Sequence, residues 1–303
     1  MFPEILAHKF EILVLYAMQD AMLHPSEVPP DHVLFIQSAS VNRHVLPGVK
    51  LLLFNKGTGT GAVAPRKKPR PVEPILYDSL QGRAISMYSS DEFLYVGTAS
   101  GLYAFHVTTS QLVNHVPMVI GSGEHQKTLL GVIHGRPGRI FAIMVHNLTG
   151  VYMVAIFDIA LALLLITPPA PKGMQLRQLC TSPDGAVLYG ISVRGGIVQY
   201  SLIDNTLRGI LEDQPDRLVF NAGMTEQGLL VVGASDELQV YSPQLAMLAR
   251  SGRLRGNITA LCTAYGCIFV GCETEDAVLA FKLTEAGGFA MLLFLGKIVF
   301  DDD

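Results

Sequence analysis

One pattern constrains this chain more than any other. A short apolar run leads into a polar turn, and a second apolar run then closes on an aromatic ring. It reads LLVVGASDELQVY at residues 229–241. The same pattern stands at residues 93–105 (FLYVGTASGLYAF), 187–200 (VLYGISVRGGIVQY) and 268–281 (IFVGCETEDAVLAF), with a stretched copy at 140–157. Short apolar runs bounded by turn formers, rich in β-branched and aromatic residues, are strand signals, so each copy is a hairpin.

The closing rings are Phe54, Phe105, Phe157, Tyr200, Tyr241 and Phe281, spaced by 51, 52, 43, 41 and 40 residues. A period of about 40 to 50 residues holding several short strands is the signature of propeller blades. Gly97, Gly190, Gly233 and Gly271 recur 8 or 10 residues before a ring. A strand glycine there lets backbones approach closely or lets the strand bulge. Flanking runs supply the remaining strands: 217–225 (RLVFNAGMT) as an inner strand and 244–250 (QLAMLAR) as an outer one. Strands next to the axis, sandwiched between blades, are expected to be continuously apolar, and LLVV at 229–232 and CIFV at 267–270 are assigned there. The fold class that follows is all-β, a single propeller domain over residues 1–303 with six four-stranded blades. Seven is the alternative, if residues 1–30 and 289–303 share one more.

In chain order, the first blade draws on 10–18, 32–37, 49–54 and 74–80, interrupted by a Gly/Pro-rich basic insertion at 55–74 (NKGTGTGAVAPRKKPRPVEP). Blade two is placed at 84–117, a linker at 121–127, blade three at 129–168, blade four at 176–213, blade five at 217–250 and blade six from 258 to about 295. The tight turn Ser182–Pro183–Asp184–Gly185 falls between the first two strands of blade four. Closure requires the last strand to meet the N-terminal segment, which removes exposed edges.

Half of the residues are hydrophobic and 16% are charged, enough apolar surface for a large core. The most apolar stretch, 151–166 (VYMVAIFDIALALLLI), is split by Asp158 into runs of 7 and 8. Each is too short for a bilayer, which takes about 20 apolar residues, so the stretch reads as two buried strands. A net charge of −4 carries no nucleic-acid signature. The start of the chain, MFPEILAHKF, has Glu4 and no basic lead before its apolar run, unlike a secretory leader. The four cysteines are accordingly expected as thiols in a reducing compartment, the cytoplasm or the nucleus.

The units at 176–213, 217–250 and 256–283 resemble divergent WD-repeat blades. LRGNITAL at 254–261 is similar to the start of such a repeat, and ASDELQVY at 234–241 to its hairpin. The Trp-Asp pair of that family is absent, because the chain has no tryptophan. Phe105–His106, Phe157–Asp158, Tyr200–Ser201, Tyr241–Ser242 and Phe281–Lys282 stand in its place, and only Asp158 keeps the acid. No Gly-His pair opens a unit. The resemblance implies a platform for protein partners.

Candidate sites are few. GTGTGA at 57–62 has dinucleotide-loop spacing, but the prolines that follow it forbid the helix such a site needs. Arg66, Lys67, Lys68 and Arg70 form one basic cluster, a short nuclear-import pattern or a contact for an acidic partner, with a solvated loop as the plainer reading. Arg250, Arg253 and Arg255, in ARSGRLRG at 249–256, resemble the arginine motif of phosphoinositide-binding propellers. Here Leu254 separates two of the arginines that the motif keeps adjacent. These seven cations are the partner-binding candidates. Cys262, Cys267 and Cys272 lack zinc-ligand spacing, so no metal and no cofactor is expected. His106, His134 and His146 are candidates for the channel wall, with structural roles as the plainer reading. Ser182 has no glycine elbow, so it is not a nucleophile candidate.

Two functions follow from the sequence. The first is a non-catalytic scaffold for protein partners in a larger assembly. The second is a propeller enzyme of the lactonase or quinoprotein type, which TSPDGAVLYGIS at 181–192 resembles. The scaffold is favoured because no catalytic constellation is visible.

Overall fold

The computed structural model describes residues 32–38, 49–55 and 84–299, apart from positions 108, 110, 215–216, 265, 275–276 and 287–288. The remaining pieces expected for blade one, and the 55–74 insertion beyond Asn55, lie outside the described residues. Within them, β1 (His32–Ser38) and β2 (Val49–Asn55) pair antiparallel.

Five antiparallel meanders follow. Blade two is β3 (Ala84–Ser89), β4 (Phe93–Thr98), β5 (Gly101–His106) and β6 (Leu112–Pro117). Blade three is β7 (Val119–Ile120), β8 (Lys127–Arg136), β9 (Arg139–His146), β10 (Tyr152–Phe157) and β11 (Leu163–Ile166). Blade four is β12 (Leu176–Thr181), β13 (Val187–Ser192), β14 (Ile197–Ser201) and β15 (Thr206–Leu211). Blade five is β16 (Val219–Met224), β17 (Leu230–Ala234), β18 (Glu237–Tyr241) and β19 (Met247–Arg250). Blade six is β20 (Ile258–Ala264), β21 (Cys267–Cys272), β22 (Ala277–Ala286) and β23 (Phe289–Val299). Every sheet keeps its strands in chain order. Blade three departs from four strands because β7 adds to the inner edge of β8. The fold is a β-propeller.

Successive blades meet through their inner strands: β3 against β8, β8 against β12, β12 against β16, and β16 against β20. The apolar cores lie between blades. Tyr95, Leu129 and Met144 fill the space between blades two and three, and Phe141, Leu188 and Tyr200 that between three and four. Tyr189, Ile191 and Leu230 fill the next interval, and Val240, Ile258 and Phe281 the last.

Burial corrects one sequence expectation. LLVV and CIFV are not the strands nearest the axis but the second strands of their blades. β17 is buried along its whole length, whereas β16, nearer the axis, is only partly buried past Val219. The middle strands are the ones sandwiched between two neighbouring sheets, while the inner strands border the channel. CIFV is instead buried alternately, Ile268 and Val270 in and Cys267 and Phe269 half out, as befits a sheet packed hard on one face. A second correction concerns residues 151–166. β10 is buried, but β11 is an exposed outer strand, so only the first of the two runs is core.

The repeat has a structural meaning that its spacing did not reveal. In all five fully described blades the ladder between the outermost strand and its neighbour slips immediately before the ring, at Phe105, Phe157, Tyr200, Tyr241 and Phe281. Each slip places one unpaired residue on the outer strand: Val113, Leu164, Arg208, Leu248 and Leu295. The inner strands bulge as well, opposite or beside the recurrent glycine. Bulges sharpen strand twist, and they fall in the inner and the outer strand pairs while the pair between them stays regular.

Polar side chains stitch the blades together. The Ser86 hydroxyl donates to the Gly131 carbonyl at 2.7 Å and accepts from the Ile133 N–H at 2.7 Å, joining blades two and three. The Tyr95 hydroxyl donates to the Ile159 carbonyl, and Asn205 Nδ2 to that of Ile166. Asn221 Nδ2 donates to the Thr259 carbonyl and Thr263 Oγ1 to that of Met224, both at 2.6 Å.

Candidate partner-binding surface

A propeller presents three surfaces: the channel, the two faces with their turns, and the rim of outer strands. His134, the histidine on an inner strand, is used structurally. His134, on inner strand β8, sits with Nε2 3.1 Å from Thr181 Oγ1 of the next blade and tilts against Phe141. Burial, and secondly the Arg136 guanidinium, push its pKa down to about 4, so the ring is neutral at neutral pH. His106 lies at the end of a third strand, edge-on to Phe93, and His146 at the end of β9 opens a turn through its backbone. Neither lines the channel.

Ser182 is a turn residue. Its hydroxyl bonds Asp184 Oδ1 and accepts from the Val187 N–H, and Asp184 takes the Ala186 N–H. Those bonds to the carboxylate hold the Asp184 pKa below its usual range. The cysteines are thiols. Burial lifts Cys180 and Cys262 to about 12. Cys262 sits opposite Phe269 in the ladder, while Cys267 and Cys272 stand at the two ends of β21, so the three do not converge. Among the described residues no three His, Cys, Asp or Glu side chains are grouped as a metal site, and no helix is long and apolar enough to cross a membrane.

The arginine candidates occupy the crossing from the rim of blade five to the inner strand of blade six. Arg250 ends β19, and Arg253 and Arg255 follow in the loop, all three exposed. Arg253, 85% exposed, reaches Asp236 at 3.9 Å, too exposed to add much stability. The loop itself is fixed by its backbone. Ser251 exchanges bonds with Leu238, and Thr274 Oγ1 donates to the Arg255 carbonyl. The loop is therefore a held crossing that displays its cations. Arg66, Lys67, Lys68 and Arg70 lie outside the described residues.

The feature that sequence reading missed is the rim. The outer strands expose Leu112, Val113, Leu163, Leu164, Leu165, Leu207, Ile210, Met247, Leu248, Met291, Leu293 and Phe294. The pattern is a repeat, not scatter. In each of the five fully described blades the residue paired with the ring is apolar and exposed: Leu112, Leu163, Leu207, Met247 and Phe294. Single exposed apolar residues are ordinary, but contiguous ones mark interaction surfaces. The signal was present in the sequence as outer runs such as LLLI at 163–166, which read as a buried strand until the register put it on the edge.

No family model matches this chain, and no curated protein matches it in sequence. Solved structures do match in fold. A Kluyveromyces lactis Hsv2 with its loop 6CD replaced by a Gly-Ser linker superposes with a TM-score of 0.58 at 11% identity, over 75% of this chain and 74% of that one. KlAtg21 in complex with the coiled coil of AgAtg16 gives 0.58 at 12% identity, over 73% and 72%. The Kluyveromyces marxianus Hsv2 gives 0.55 at 12% identity, over 92% and 83%. At such identities the likeness is one of fold.

Proposed function

We propose that this chain is a non-catalytic propeller scaffold that holds protein partners within a larger assembly, in the cytoplasm or the nucleus. The observation that carries the reading is the apolar rim, which recurs at the same register position in all five described blades. A water-soluble disc gains nothing by repeating such a belt unless something covers it. The solved neighbour KlAtg21, bound to a coiled coil, supports a propeller of this shape as a protein-binding module. The test is affinity purification of the full chain from its native cell with mass spectrometry. Wild type is compared with Leu164→Asp/Met247→Asp and with a deletion of residues 57–72, which removes Arg66, Lys67, Lys68 and Arg70. A defined complex lost in the rim variant supports the reading, and loss on deletion adds the basic insertion as a contact. A chain that purifies alone, or a small molecule on the channel axis, overturns it in favour of an enzyme.

The exposed crossing favours one second reading, a phosphoinositide-binding propeller. It rests on Arg250, Arg253 and Arg255 being displayed together on a held loop, beside the resemblance of ARSGRLRG to the arginine motif. Cosedimentation with phosphoinositide vesicles, lost in Arg253→Ala/Arg255→Ala, is its test.

A further inference from the structure

Proline follows serine or threonine at three places in this chain: Thr167–Pro168, Ser182–Pro183 and Ser242–Pro243. Thr167 and Ser242 are buried, and their hydroxyls accept backbone bonds, from the Val154 N–H and from the Gln244 and Ala246 N–H groups. Ser182 is different. It is half-buried at the head of the turn from β12 to β13, and the next two residues, Pro183 and Asp184, are exposed. Its bonds run within the turn. The hydroxyl donates to Asp184 and accepts from the Val187 N–H, the Ser182 N–H donates to the Val187 carbonyl, and the Gly185 N–H donates to the Ser182 carbonyl. A turn whose bonds close on itself opens at lower cost than a packed strand, and the proline biases Ser182 toward extended backbone when it does.

A cation from the neighbouring blade lies over this turn. A β-carbon added at Gly185, whose φ is +69°, would fall on the Arg136 guanidinium, so that side chain rests directly against the tip of the turn. Arg136 ends β8 of blade three, and Arg139, exposed, opens β9 at the other end of the same hairpin turn. Asp184 is the anion now held here, by the Ala186 N–H and the Ser182 hydroxyl. Those bonds, with the Arg136 charge behind them, are what lower its pKa.

We propose that Ser182 is a phosphorylation site, modified by a proline-directed protein kinase, and that Arg136 of blade three receives the phosphate. In the transfer the Ser182 Oγ bonds to the γ-phosphorus of ATP and the bond from that phosphorus to the β–γ bridging oxygen breaks. ADP leaves, and the hydroxyl proton passes to a carboxylate of the kinase. The modified side chain has no proton left to donate to Asp184, and it brings up to about two negative charges beside that carboxylate. Asp184, exposed, turns out to solvent. The phosphate takes the guanidinium, whose planar fork matches two of its oxygens. A contact between a side chain and a glycine thus becomes a charge-assisted tie between blades three and four. The proposal does not depend on which surface holds the protein partners.

The test treats the folded full chain with a mitogen-activated or a cyclin-dependent kinase and magnesium ATP, then maps the phosphate by mass spectrometry of tryptic peptides. Residues outside the described ones are present in that sample, and a turn that they covered would stay unlabelled. Phosphate at Ser182 in the peptide 178–194, lost in Ser182→Ala, is expected. No transfer, transfer to Thr167 or Ser242 instead, or transfer only in urea overturns the site. The role of Arg136 is read on the labelled chain by phosphorus NMR across a pH titration. The second ionisation of phosphoserine ordinarily falls near about 6. In wild type it is expected about half a pH unit or more below that of Arg136→Gln, with Arg136→Lys between them. Asp184 and His134, the titratable neighbours of Arg136, are common to all three proteins, so the difference reports the guanidinium. Arg136→Lys keeps the comparison if the glutamine variant does not fold. Equal titration in wild type and the variants overturns the assignment of Arg136.

Discussion

Two glycines bring the backbones of blades two and three together. Gly97 lies on β4 with ordinary strand dihedrals, and a β-carbon there would sit 2.1 Å from the Gly131 carbonyl oxygen of the next blade. Gly131, at a φ of +73°, is the centre of the wide bulge that pushes β8 toward blade two. An ordinary contact at that point begins at 3.4 Å, so Gly97→Ala must push the packed strands β4 and β8 apart by about 1 Å. That also strains the Ser86 hydroxyl, which bonds the same carbonyl. Overpacking of this kind costs about 1–3 kcal/mol, and a clash with backbone rather than side chain belongs at the upper end. Gly271 is the internal control. It stands at the equivalent place in blade six, but its added β-carbon would lie 3.4 Å from Ala260 Cβ. Replacing a strand glycine without a clash is worth about 0.5 kcal/mol or more in favour of alanine. In urea denaturation, with a slope of about 3 kcal/mol/M for a chain of this size, Gly97→Ala lowers the midpoint by about 0.7–1 M. Gly271→Ala leaves it unchanged or raises it slightly. Equal behaviour of the two variants would refute the claim that close backbone approach, rather than strand geometry, explains the recurrent glycines.

Three further outcomes follow from the same contacts. Ser86→Ala leaves the Gly131 carbonyl and the Ile133 N–H without their bridging hydroxyl; a loss of about 2 kcal/mol, with faster exchange of the Ile133 amide, is the expected result. Because the folded pKa of His134 is about 4, below its usual 6.5, the unfolded chain binds the extra proton. Stability is then full above pH 6.5 and falls as the pH drops toward 4. Some of the residue's surface remains accessible, so we expect about 2 kcal/mol, less than the full shift implies, and a flatter urea-midpoint profile for His134→Gln over that window. Cys267 is the partly accessible cysteine, whereas Cys180 and Cys262 are buried with thiols raised to about 12. Iodoacetamide should modify Cys267 first, read by peptide mass spectrometry.

Much of the architecture was legible because a propeller repeats its local rules. The ring spacing placed the hairpins of blades two to six, and the polar turn at 182–185 fell where the sequence put it. What the sequence concealed was radial position. An apolar run such as LLLI at 163–166 has the same composition whether it lies between two sheets or on a bare rim, and only the register of β11 on β10 decides between them. The same ambiguity put LLVV next to the axis, when its ladder partners on both edges, β16 and β18, make it a middle strand. The short β7 was illegible because two residues carry no periodicity. The exposure of Arg250, Arg253 and Arg255 was legible, since charged residues after an outer strand stay in solvent. The rim was missed because apolar residues are expected inside.

The central claim, that partners are held by the rim and not by the channel, is tested most directly by hydrogen exchange on the complex purified from the native cell. The account predicts protection on the outer strands, residues 112–117, 163–166, 206–211, 247–250 and 289–299, against the isolated chain. Protection confined to the channel mouth, at 134–139 and 181–187, with the outer strands exchanging as in the isolated chain, would contradict it.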